Sequence, residues 1–307
     1  MKSGLRSVIV MAMGETTAQR MALKAALAPL FLICFALSAC SPEPNAPESC
    51  VGVKAQPSSL RDAQSFTYRR ASDRDLKLHV FSPAGSPKQA RPAILFFFGG
   101  GWRVGKISAL EPQAREFAKQ GYVTILADYR VKCRDGTTIL AAQEDARAAW
   151  DWVRNHHSQL GVDPKRIVLA GGSAGGQLAL ATAQKSPEDA KPAALMLFNP
   201  AVDLVTPAAW WAKPIAKRIS PSTLPVDALP PTLIFHGTGD HRVPIQTVKA
   251  FCRRARETDR ICEVVSYAGQ EHGFYHSNRI TPGLGINPYR DTLDRSEAFL
   301  ARQGLAP

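Results

Sequence analysis

The chain has 307 residues, of which 45% are hydrophobic and 21% are charged, proportions that are ordinary for a soluble globular protein. Its formal net charge is +12, which falls to +9 when residues 1–39 are left out. No run of Lys and Arg reaches the roughly five or more residues that indicate a basic binding arm, so we attribute the charge to the surface and expect no nucleic-acid partner.

The first 39 residues have the features of a secretory signal peptide. Residues 25–39 are uncharged and mostly apolar, follow Arg20 and Lys24, and end in small side chains. This stretch is too short for a membrane span and contains Pro29, so a cleaved signal peptide over residues 1–39 is the better interpretation. We therefore expect the protein to be exported.

A cysteine follows the predicted cleavage site. The residues at 37–40, LSAC, resemble a bacterial lipobox, which implies that Cys40 carries lipid and anchors the protein to a membrane, facing the periplasm or the cell exterior. The alternative is an ordinary signal peptide with a chance cysteine. Residues 40–60 are rich in Pro and Ser, so we predict a lipid-anchored tether ahead of a domain at 61–307.

Beyond residue 60, apolar runs of strand length alternate with helical patterns. A polar turn separates two strand-like runs at 66–70 and 76–83, and six further runs are apolar throughout, at 93–101, 121–130, 166–172, 193–200, 231–240 and 261–269. Runs of this kind indicate strands buried on both faces. Helical patterns lie at 111–120, 138–157, 174–185, 243–257 and 289–302. The alternation predicts an α/β fold with one open, mostly parallel sheet flanked by helices.

Three consecutive glycines, Gly99–Gly101, end the first of the six apolar runs. A tight turn needs only about one or two glycines, whereas three in a row leave several backbone N–H groups uncovered. Such groups are what an oxyanion hole requires, because they can donate to a developing negative charge.

The run at 166–172 leads into a serine flanked by glycines. Gly171-Gly172-Ser173-Ala174-Gly175 fits the G-x-S-x-G pattern of a nucleophile elbow, in which the serine occupies a strained strand-to-helix turn. The flanking residues must be small because strand and helix nearly touch there, and a helix N-terminus favours negative charge. A phosphate-binding loop is the competing interpretation, but the G-x-x-x-x-G-K-[ST] pattern is missing.

An acid and a histidine follow later strands, in the chain order that a hydrolase with such an elbow needs. Asp240 closes the run at 231–240, and His272 comes just after the run at 261–269. We expect His272 to take the proton of Ser173 and Asp240 to orient the imidazole ring.

Other residues near these positions are rival candidates. Asp203 and Glu271 are the rival acids, and Asp240 is preferred because only it follows the penultimate strand. His236 lies nearer the body of a strand and is interpreted as a packing residue, whereas His241 is interpreted as solvated.

Four cysteines besides Cys40 remain after the predicted cleavage, namely Cys50, Cys133, Cys252 and Cys262. An exported protein can form disulfides, and several pairings are open. Cys252 and Cys262 lie ten residues apart across a predicted helix-to-strand turn, so they are the favoured pair, while Cys50 with Cys133 follows only by elimination. A metal site is the weaker interpretation, because the cysteines lack Cys-x-x-Cys or His-rich spacing.

Several of these segments together resemble one family. Gly99-Gly100-Gly101-Trp102, ADYR at 127–130, GGSAGG around Ser173, HGTGD ending at Asp240 and EHGF around His272 resemble the hormone-sensitive-lipase-like esterases, and ADYRV, DARAAWDWVR and LFNP are shared with the bacterial acetylesterase/lipase group. The resemblance spans residues 75–302. It implies an α/β-hydrolase fold, a Ser-His-Asp triad and hydrolysis of carboxylic esters without a cofactor or a metal.

The resemblance also implies which groups form the oxyanion hole, namely the backbone N–H groups of Gly100, Gly101 and Ala174. Two positions depart from the family pattern. Phe98 stands where the family usually has a histidine before the glycines, and Gly172 stands where lipase relatives often have an acid. In the family, that histidine supports the loop and takes no part in the chemistry. Its replacement by Phe98 therefore affects the geometry of the loop.

The expected function is therefore that of a serine carboxylesterase acting on short, acetyl-like esters of small molecules or acylated sugars. Residues 201–230 contain five prolines together with Trp210 and Trp211, and we predict a cap-like insertion over the edge of the sheet that shapes the acyl pocket. Because this segment lacks the apolar stripe of a lipase lid, acyl groups from acetyl to butyryl should be preferred. A serine peptidase of the same fold and a non-catalytic binding protein are the alternatives.

Overall fold

The structure is a computed structural model that describes residues 50, 56–57, 59–71, 74–84, 89–208, 212–277 and 285–307. The predicted signal peptide, Cys40 and most of the predicted tether lie outside these residues, as do Trp210 and Trp211. The residues from Cys50 onward form one compact unit. Within the described ranges, no helix combines the length and apolarity needed to cross a membrane.

An eight-stranded sheet forms the centre of the unit. Its strands are β1 (Gln64–Ala71), β2 (Arg74–Phe81), β3 (Arg91–Phe97), β4 (Val123–Ala127), β5 (Val162–Gly172), β6 (Ala194–Phe198), β7 (Thr232–Gly237) and β8 (Cys262–Tyr267). They lie in the order β1-β2-β4-β3-β5-β6-β7-β8. Strand β2 is antiparallel to both of its neighbours, and the other pairs are parallel. The predicted open, mostly parallel sheet is confirmed.

The burial of each strand follows from its place in the sheet. Every residue of β6 and β7 is buried, as expected for strands that helices cover on both faces. The edge strands β1 and β8 are more polar and keep several exposed or half-exposed residues, which limits pairing with other chains.

Helices lie between the parallel strands and after the last of them. They are α1 (Glu111–Lys119), α2 (Lys132–Asp135), α3 (Ile139–Asn155), α4 (Ala174–Lys185), α5 (Lys213–Ile219), α6 (Ile245–Arg256) and α7 (Pro288–Arg302). In α6 the buried residues recur at spacings of three and four, which places them on one face toward the sheet. The five predicted helices lie within two residues of these bounds, whereas α2 and α5 are too short for a periodic pattern to show.

The described part of the predicted insertion packs on helices, and its predicted position over the edge of the sheet stays a prediction. The insertion leaves the sheet from β6, which has a neighbouring strand on each side. The side-chain amides of Gln143 in α3 and Gln177 in α4 donate to the carbonyl of Ile219, at 3.4 and 2.8 Å. Arg254 in α6 donates to the carbonyl of Leu224 at 2.7 Å. The end of α5 and the chain after it are thereby fixed to three helices.

Two disulfides join parts of this unit. Cys252 in α6 pairs with Cys262 at the start of β8, and Cys50 pairs with Cys133 in α2. The second bond ties the first residue of the unit to a position 83 residues along the chain.

Candidate active site

Ser173 occupies a strained turn between β5 and α4. Its φ of 53° and ψ of −117° lie in a region that non-glycine residues rarely adopt. The backbone N–H of Ser173 donates to the carbonyl of Phe198 at 2.9 Å, and its carbonyl accepts from the N–H groups of Gln177 and Ala201. These bonds hold the turn, so that the half-buried side chain stands at the carboxyl edge of the sheet.

The glycines beside Ser173 are required by close contacts. A Cβ at Gly175 would lie 2.1 Å from the carbonyl oxygen of Phe97 and 2.4 Å from that of Phe98, where β3 ends. A Cβ at Gly172 would lie 2.1 Å from the hydroxyl oxygen of Tyr275. Tyr275 therefore fills the space that an acidic side chain at position 172 would need, which explains this departure from the family pattern.

His272 links Ser173 to Asp240. Its Nε2 atom lies 2.9 Å from Oγ of Ser173, and its Nδ1 atom lies 2.7 Å from Oδ2 of Asp240. When Nδ1 carries the proton, the ring donates to the carboxylate and Nε2 accepts from the hydroxyl, which is the arrangement that a general base needs. The three residues meet because β5, β7 and β8 end at the same edge of the sheet.

The carboxylate of Asp240 is buried and accepts several hydrogen bonds. Its Oδ1 atom accepts from the N–H groups of Arg242 and Val243, both at 2.9 Å. Burial opposes the charged form, but hydrogen bonds from His236, His272 and the backbone of Val243 outweigh it and hold the pKa of Asp240 well below its usual range. Asp240 is therefore ionised at neutral pH.

His236 contributes more than packing, which the sequence interpretation missed. Its Nε2 atom donates to the carbonyl of Val243 at 2.9 Å and also lies 3.4 Å from Oδ2 of Asp240. The ring is fully buried. His236 thereby holds both the carboxylate and the backbone turn that supplies two of the donors to it.

The rival candidates lie in other surroundings. The Oδ1 atom of Asp203 accepts from the N–H groups of Val205 and Thr206, at 2.9 and 3.2 Å, within a local turn. Glu271 and His241 are exposed. Of the three predicted acids, the structure brings only Asp240 within hydrogen-bond distance of a ring nitrogen of His272.

Asn199 is a further neighbour of His272 that sequence reasoning did not identify. Its Nδ2 atom lies 3.1 Å from Nδ1 and 3.2 Å from Nε2 of His272. An atom almost equally far from both ring nitrogens lies over the face of the ring, since an in-plane position would collide with Cε1. The Oδ1 atom of Asn199 accepts from the N–H of Gly273 at 3.3 Å. Asn199 therefore supports the ring and the chain that follows it.

The glycines after β3 form a loop that lies beside Ser173. Gly100 and Gly101 have φ angles of 132° and 61°, which glycine adopts without strain. The carbonyl of Gly100 accepts from the N–H groups of Arg103 and Val104, both at 3.1 Å, and this closes the loop. A Cβ at Gly99 would lie 3.4 Å from the Cβ of Ser173, so the loop packs directly against the elbow.

The remaining predicted hole residue, Ala174, is the first residue of α4. The first N–H groups of a helix have no partner within the helix, so they are available to a bound group. The structure thus brings Gly100, Gly101 and Ala174 to the two turns that meet at Ser173.

Side chains from other elements hold this loop. The Phe98 ring stacks on Tyr129 with ring centroids 4.0 Å apart, and the Tyr129 hydroxyl donates to the carbonyl of Phe98 at 2.6 Å. Nε1 of Trp102 donates to Oε1 of Gln177 at 3.1 Å. The aromatic pair supports the chain where the family usually has a histidine, and Gln177 joins the loop to the helix of the elbow.

A separate cavity of about 570 Å³ lies between α3, α4 and α5. It is lined by side chains such as Gln143, Arg147, Ala181, Lys185 and Ile219, and Ser173, Asp240 and His272 are not among its walls. Within the described residues, no group of three or more His, Cys, Asp or Glu side chains is placed to hold a metal ion.

Comparisons with known proteins indicate the same fold. Residues 94–214 match the Abhydrolase_3 family, described as having an alpha/beta hydrolase fold. The chain is 37% identical over 109 residues to "Esterase LipI" and 32% identical over 111 residues to "Carboxylesterase NlhH", both of Mycobacterium tuberculosis. These matches cover 35% and 36% of this chain and 33% and 34% of the relatives, so the chain spans about a third of the length of these curated relatives.

Similarity to solved structures covers more of the chain. The propionate-bound structure of a thermophilic esterase, Est2, from Thermogutta terrifontis is 35% identical, with a TM-score of 0.73 over 80% of this chain and 96% of that chain. The same esterase phosphorylated by paraoxon is 34% identical, with a TM-score of 0.72 over 81% of this chain and 96% of that chain. By its fold, its elbow and these relatives, the chain belongs to the hormone-sensitive-lipase-like family of α/β-hydrolases, a family of carboxylic ester hydrolases.

Proposed function

We propose that this protein is a serine carboxylesterase that cleaves short-chain acyl esters through an acyl-enzyme. Ser173 is the nucleophile, His272 the general base and then acid, and Asp240 the residue that orients and stabilises the imidazolium. The N–H groups of Gly100, Gly101 and Ala174 stabilise the oxyanion. No cofactor enters this mechanism.

The reaction proceeds in two balanced steps. Oγ of Ser173 attacks the ester carbonyl while its proton passes to Nε2 of His272. The tetrahedral intermediate then collapses, and the leaving alcohol takes that proton. In the second step, water attacks the acyl-serine ester, His272 again takes a proton, and the carboxylic acid leaves as Ser173 regains its proton.

The observation that carries the proposal is the short relay from Ser173 through His272 to Asp240. The two contacts, of 2.9 and 2.7 Å, fall within the range that proton transfer and orientation need. The strained turn at Ser173 supports the same assignment, because backbone strain persists where the surrounding contacts hold it for function.

Loss of the nucleophile is the decisive test. Ser173→Ala should keep the wild-type melting temperature and lower ester turnover by on the order of 10⁴-fold or more. Paraoxon phosphorylates the Thermogutta esterase, so we expect it to add one phosphoryl group to the wild-type protein and none to Ser173→Ala, as read by intact-protein mass spectrometry. A folded Ser173→Ala variant with near-normal kcat would refute the assignment. Turnover of peptide amides but not of esters would favour the peptidase alternative, and the absence of both would favour a binding protein.

The proposal of short acyl groups has two supports. Structures of the Thermogutta esterase contain propionate and butyrate, and the end of α5 is tied to Gln143 and Gln177 by hydrogen bonds, unlike a mobile lid. Each buried CH₂ adds about 0.8 kcal/mol to the binding free energy only until the pocket ends.

We expect kcat/KM for p-nitrophenyl esters to peak between acetyl and butyryl and to be low from C8 onward. A steady rise to C12 would contradict this, and acetylated xylan in the same panel tests the acylated-sugar alternative.

Export and lipid attachment through Cys40 are a separate proposal that rests on the LSAC sequence at 37–40. Stable attachment of such a protein depends on acyl chains buried in the bilayer. Cys40→Ser should therefore abolish labelling by a fatty-acid analogue and move the protein out of the membrane fraction. Labelling that persists in this variant would contradict the proposal.

A further inference from the structure

Gln56, which precedes the first strand, is bound to the far end of the glycine loop. Its Nε2 atom donates to the carbonyl of Gly105 at 3.0 Å, and its Oε1 atom accepts from the N–H of Ile107 at 2.9 Å. Both ends of one side-chain amide are therefore used on the same short stretch of backbone. The residue is half-buried and lies 49 positions before Gly105.

Cys50 is connected to the middle of the same loop through α2. The disulfide joins Cys50 to Cys133, and the first turn of α2 binds the loop directly. The N–H of Lys132 donates to the carbonyl of Trp102, and the N–H of Cys133 donates to the carbonyl of Arg103, both at 2.9 Å. The disulfide thus attaches Cys50 to the helical turn that holds two consecutive loop carbonyls.

These two attachments bracket the part of the loop that follows Gly100 and Gly101. Gly105 itself packs against the start of the loop, since a Cβ there would lie 2.4 Å from the carbonyl oxygen of Gly99. The carbonyl of Gly100 is held by the N–H groups of Arg103 and Val104. A shift of residues 102–105 would therefore be transmitted to the N–H groups of Gly100 and Gly101.

We propose that Gln56 and the Cys50–Cys133 disulfide are positioning residues for the oxyanion hole, and we call them the N-terminal clamp. This inference rests on the proposed function. A loop with several glycines loses much conformational entropy when it is ordered, so it needs external contacts to hold one conformation. Cys50 and Gln56, which lie within the predicted tether, then help to position the oxyanion loop.

Loss of the clamp should change the kinetic constants in a way that a general loss of stability would not. Oxyanion donors act on charge that develops in the transition state, so their misplacement lowers kcat and leaves KM nearly unchanged. Affinity for a transition-state analogue should fall by the same factor as kcat, because both depend on the same N–H groups.

The test uses the full mature chain and two matched pairs of variants. Gln56→Ala is compared with Gln120→Ala, whose amide bonds to Glu297 elsewhere on the surface. The double variant Cys50→Ser/Cys133→Ser is compared with Cys252→Ser/Cys262→Ser, which removes the other disulfide. The readouts are kcat and KM for p-nitrophenyl acetate, the affinity for a short-chain trifluoromethyl ketone, and the melting temperature.

For each clamp variant we expect about a tenfold loss of kcat, a KM within about twofold of wild type, and an equal loss of affinity for the ketone. The control variants should keep wild-type kcat even where their melting temperatures fall. Wild-type kcat in Gln56→Ala would overturn the proposal, and so would an equal decrease in kcat in both disulfide variants. If removal of the Cys50–Cys133 bond prevents folding, Gln56→Ala still decides the question. An inactive wild-type protein would instead refute the proposed function.

Discussion

Two glycine-rich turns meet at the active site, and they are held in different ways. At the elbow, a Cβ on each of the four glycines 171, 172, 175 and 176 would lie between 2.1 and 2.7 Å from another atom. In the loop after β3, a Cβ on Gly101 would meet nothing within 4 Å, but the residue has a φ of 61°. The elbow needs glycine for space, whereas Gly101 needs it for backbone conformation.

The two turns also differ in how far a short sequence motif specifies them. The elbow lies between β5 and α4 and packs on the ends of adjacent strands. The loop is held by Gln56, by α2 and by Tyr129, which come from three other parts of the sequence. The contacts of the elbow with Phe98 and Tyr275 also form only in the folded chain. The elbow, however, carries a short motif that the sequence shows, whereas no motif marks the residues that hold the loop.

The largest effect is expected from a substitution that removes space at the elbow. Gly175→Ala sets a Cβ against backbone oxygens of Phe97 and Phe98, which cannot move without displacing β3 and the loop. We expect a loss of stability of about 3 kcal/mol or more and a fall in kcat of on the order of 10²-fold or more, measured by urea unfolding and ester turnover.

Gly304→Ala is the matched control for that variant. Gly304 has a φ of 71°, and a Cβ there would meet nothing within 4 Å, so alanine should cost only about 1–2 kcal/mol for its conformation and leave kcat unchanged. Equal losses of kcat in the two variants would contradict the claim that close approach at Gly175 is the cause.

A smaller effect is expected from a substitution of Gly172, because the atoms nearest to a Cβ there belong to the Tyr275 side chain and not to the backbone. Gly172→Ala places a Cβ 2.1 Å from the hydroxyl oxygen of Tyr275 and 2.9 Å from its Cζ, and we expect a loss of about 1–3 kcal/mol. Tyr275→Phe removes the nearer atom only, so the double variant should recover part of this loss, with a coupling of about 0.5 kcal/mol or more. Strictly additive losses in the double-mutant cycle would show that Tyr275 is not what excludes a side chain at position 172.

The fold was predictable from sequence because its signals are local and repeated. The apolar runs that became β4, β6 and β7 are buried throughout, and the helical patterns between the strands have a period that sequence shows directly. The run that became the edge strand β8 keeps exposed and half-exposed residues. The order of Ser173, Asp240 and His272 after the runs that became β5, β7 and β8 was visible for the same reason. Parallel strands deliver their carboxyl ends to one edge of the sheet.

The supporting residues were not predictable, since their contacts join distant positions and follow no period. Asn199 meets His272 across 73 positions, Tyr129 meets Phe98 across 31, and Gln56 meets Gly105 across 49. His236 was assigned to packing because its place on a buried strand gives no sign of a polar partner. Position 219 shows the same limit, since its role is a backbone carbonyl that no side-chain pattern reveals.

A modest effect is expected when one support of the loop is removed. Tyr129→Phe deletes the hydrogen bond to the carbonyl of Phe98 and keeps the stacked ring. We expect a loss of about 1–2 kcal/mol of stability and a fall in kcat of about 3–10-fold, less than the effect of losing an oxyanion donor itself.

Tyr68→Phe is the control for this prediction, because the Tyr68 hydroxyl also donates to a backbone carbonyl at 2.6 Å, that of Asp128 just after β4. It should cost similar stability with kcat unchanged. A decrease in kcat as large as that of Tyr129→Phe would mean that the effect comes from general loosening of the fold.

The smallest expected effect is a difference in how the contributions of the two regions to stability depend on pH. The contact between Asp240 and His272 depends on an ionised carboxylate whose pKa is held well below its usual range, whereas burial raises the pKa of Tyr129 and keeps its hydroxyl neutral. A carboxyl group with a depressed folded-state pKa stabilises the fold fully above its unfolded pKa of about 3.9, and this contribution is lost as the pH falls toward the folded value.

The difference in melting temperature between wild type and Asp240→Asn should therefore shrink as the pH is lowered from about 5 to 3, while the difference between wild type and Tyr129→Phe stays constant. A constant difference for Asp240→Asn over this range would show that its carboxylate is not the ionised partner that stabilises the His272 side of the site.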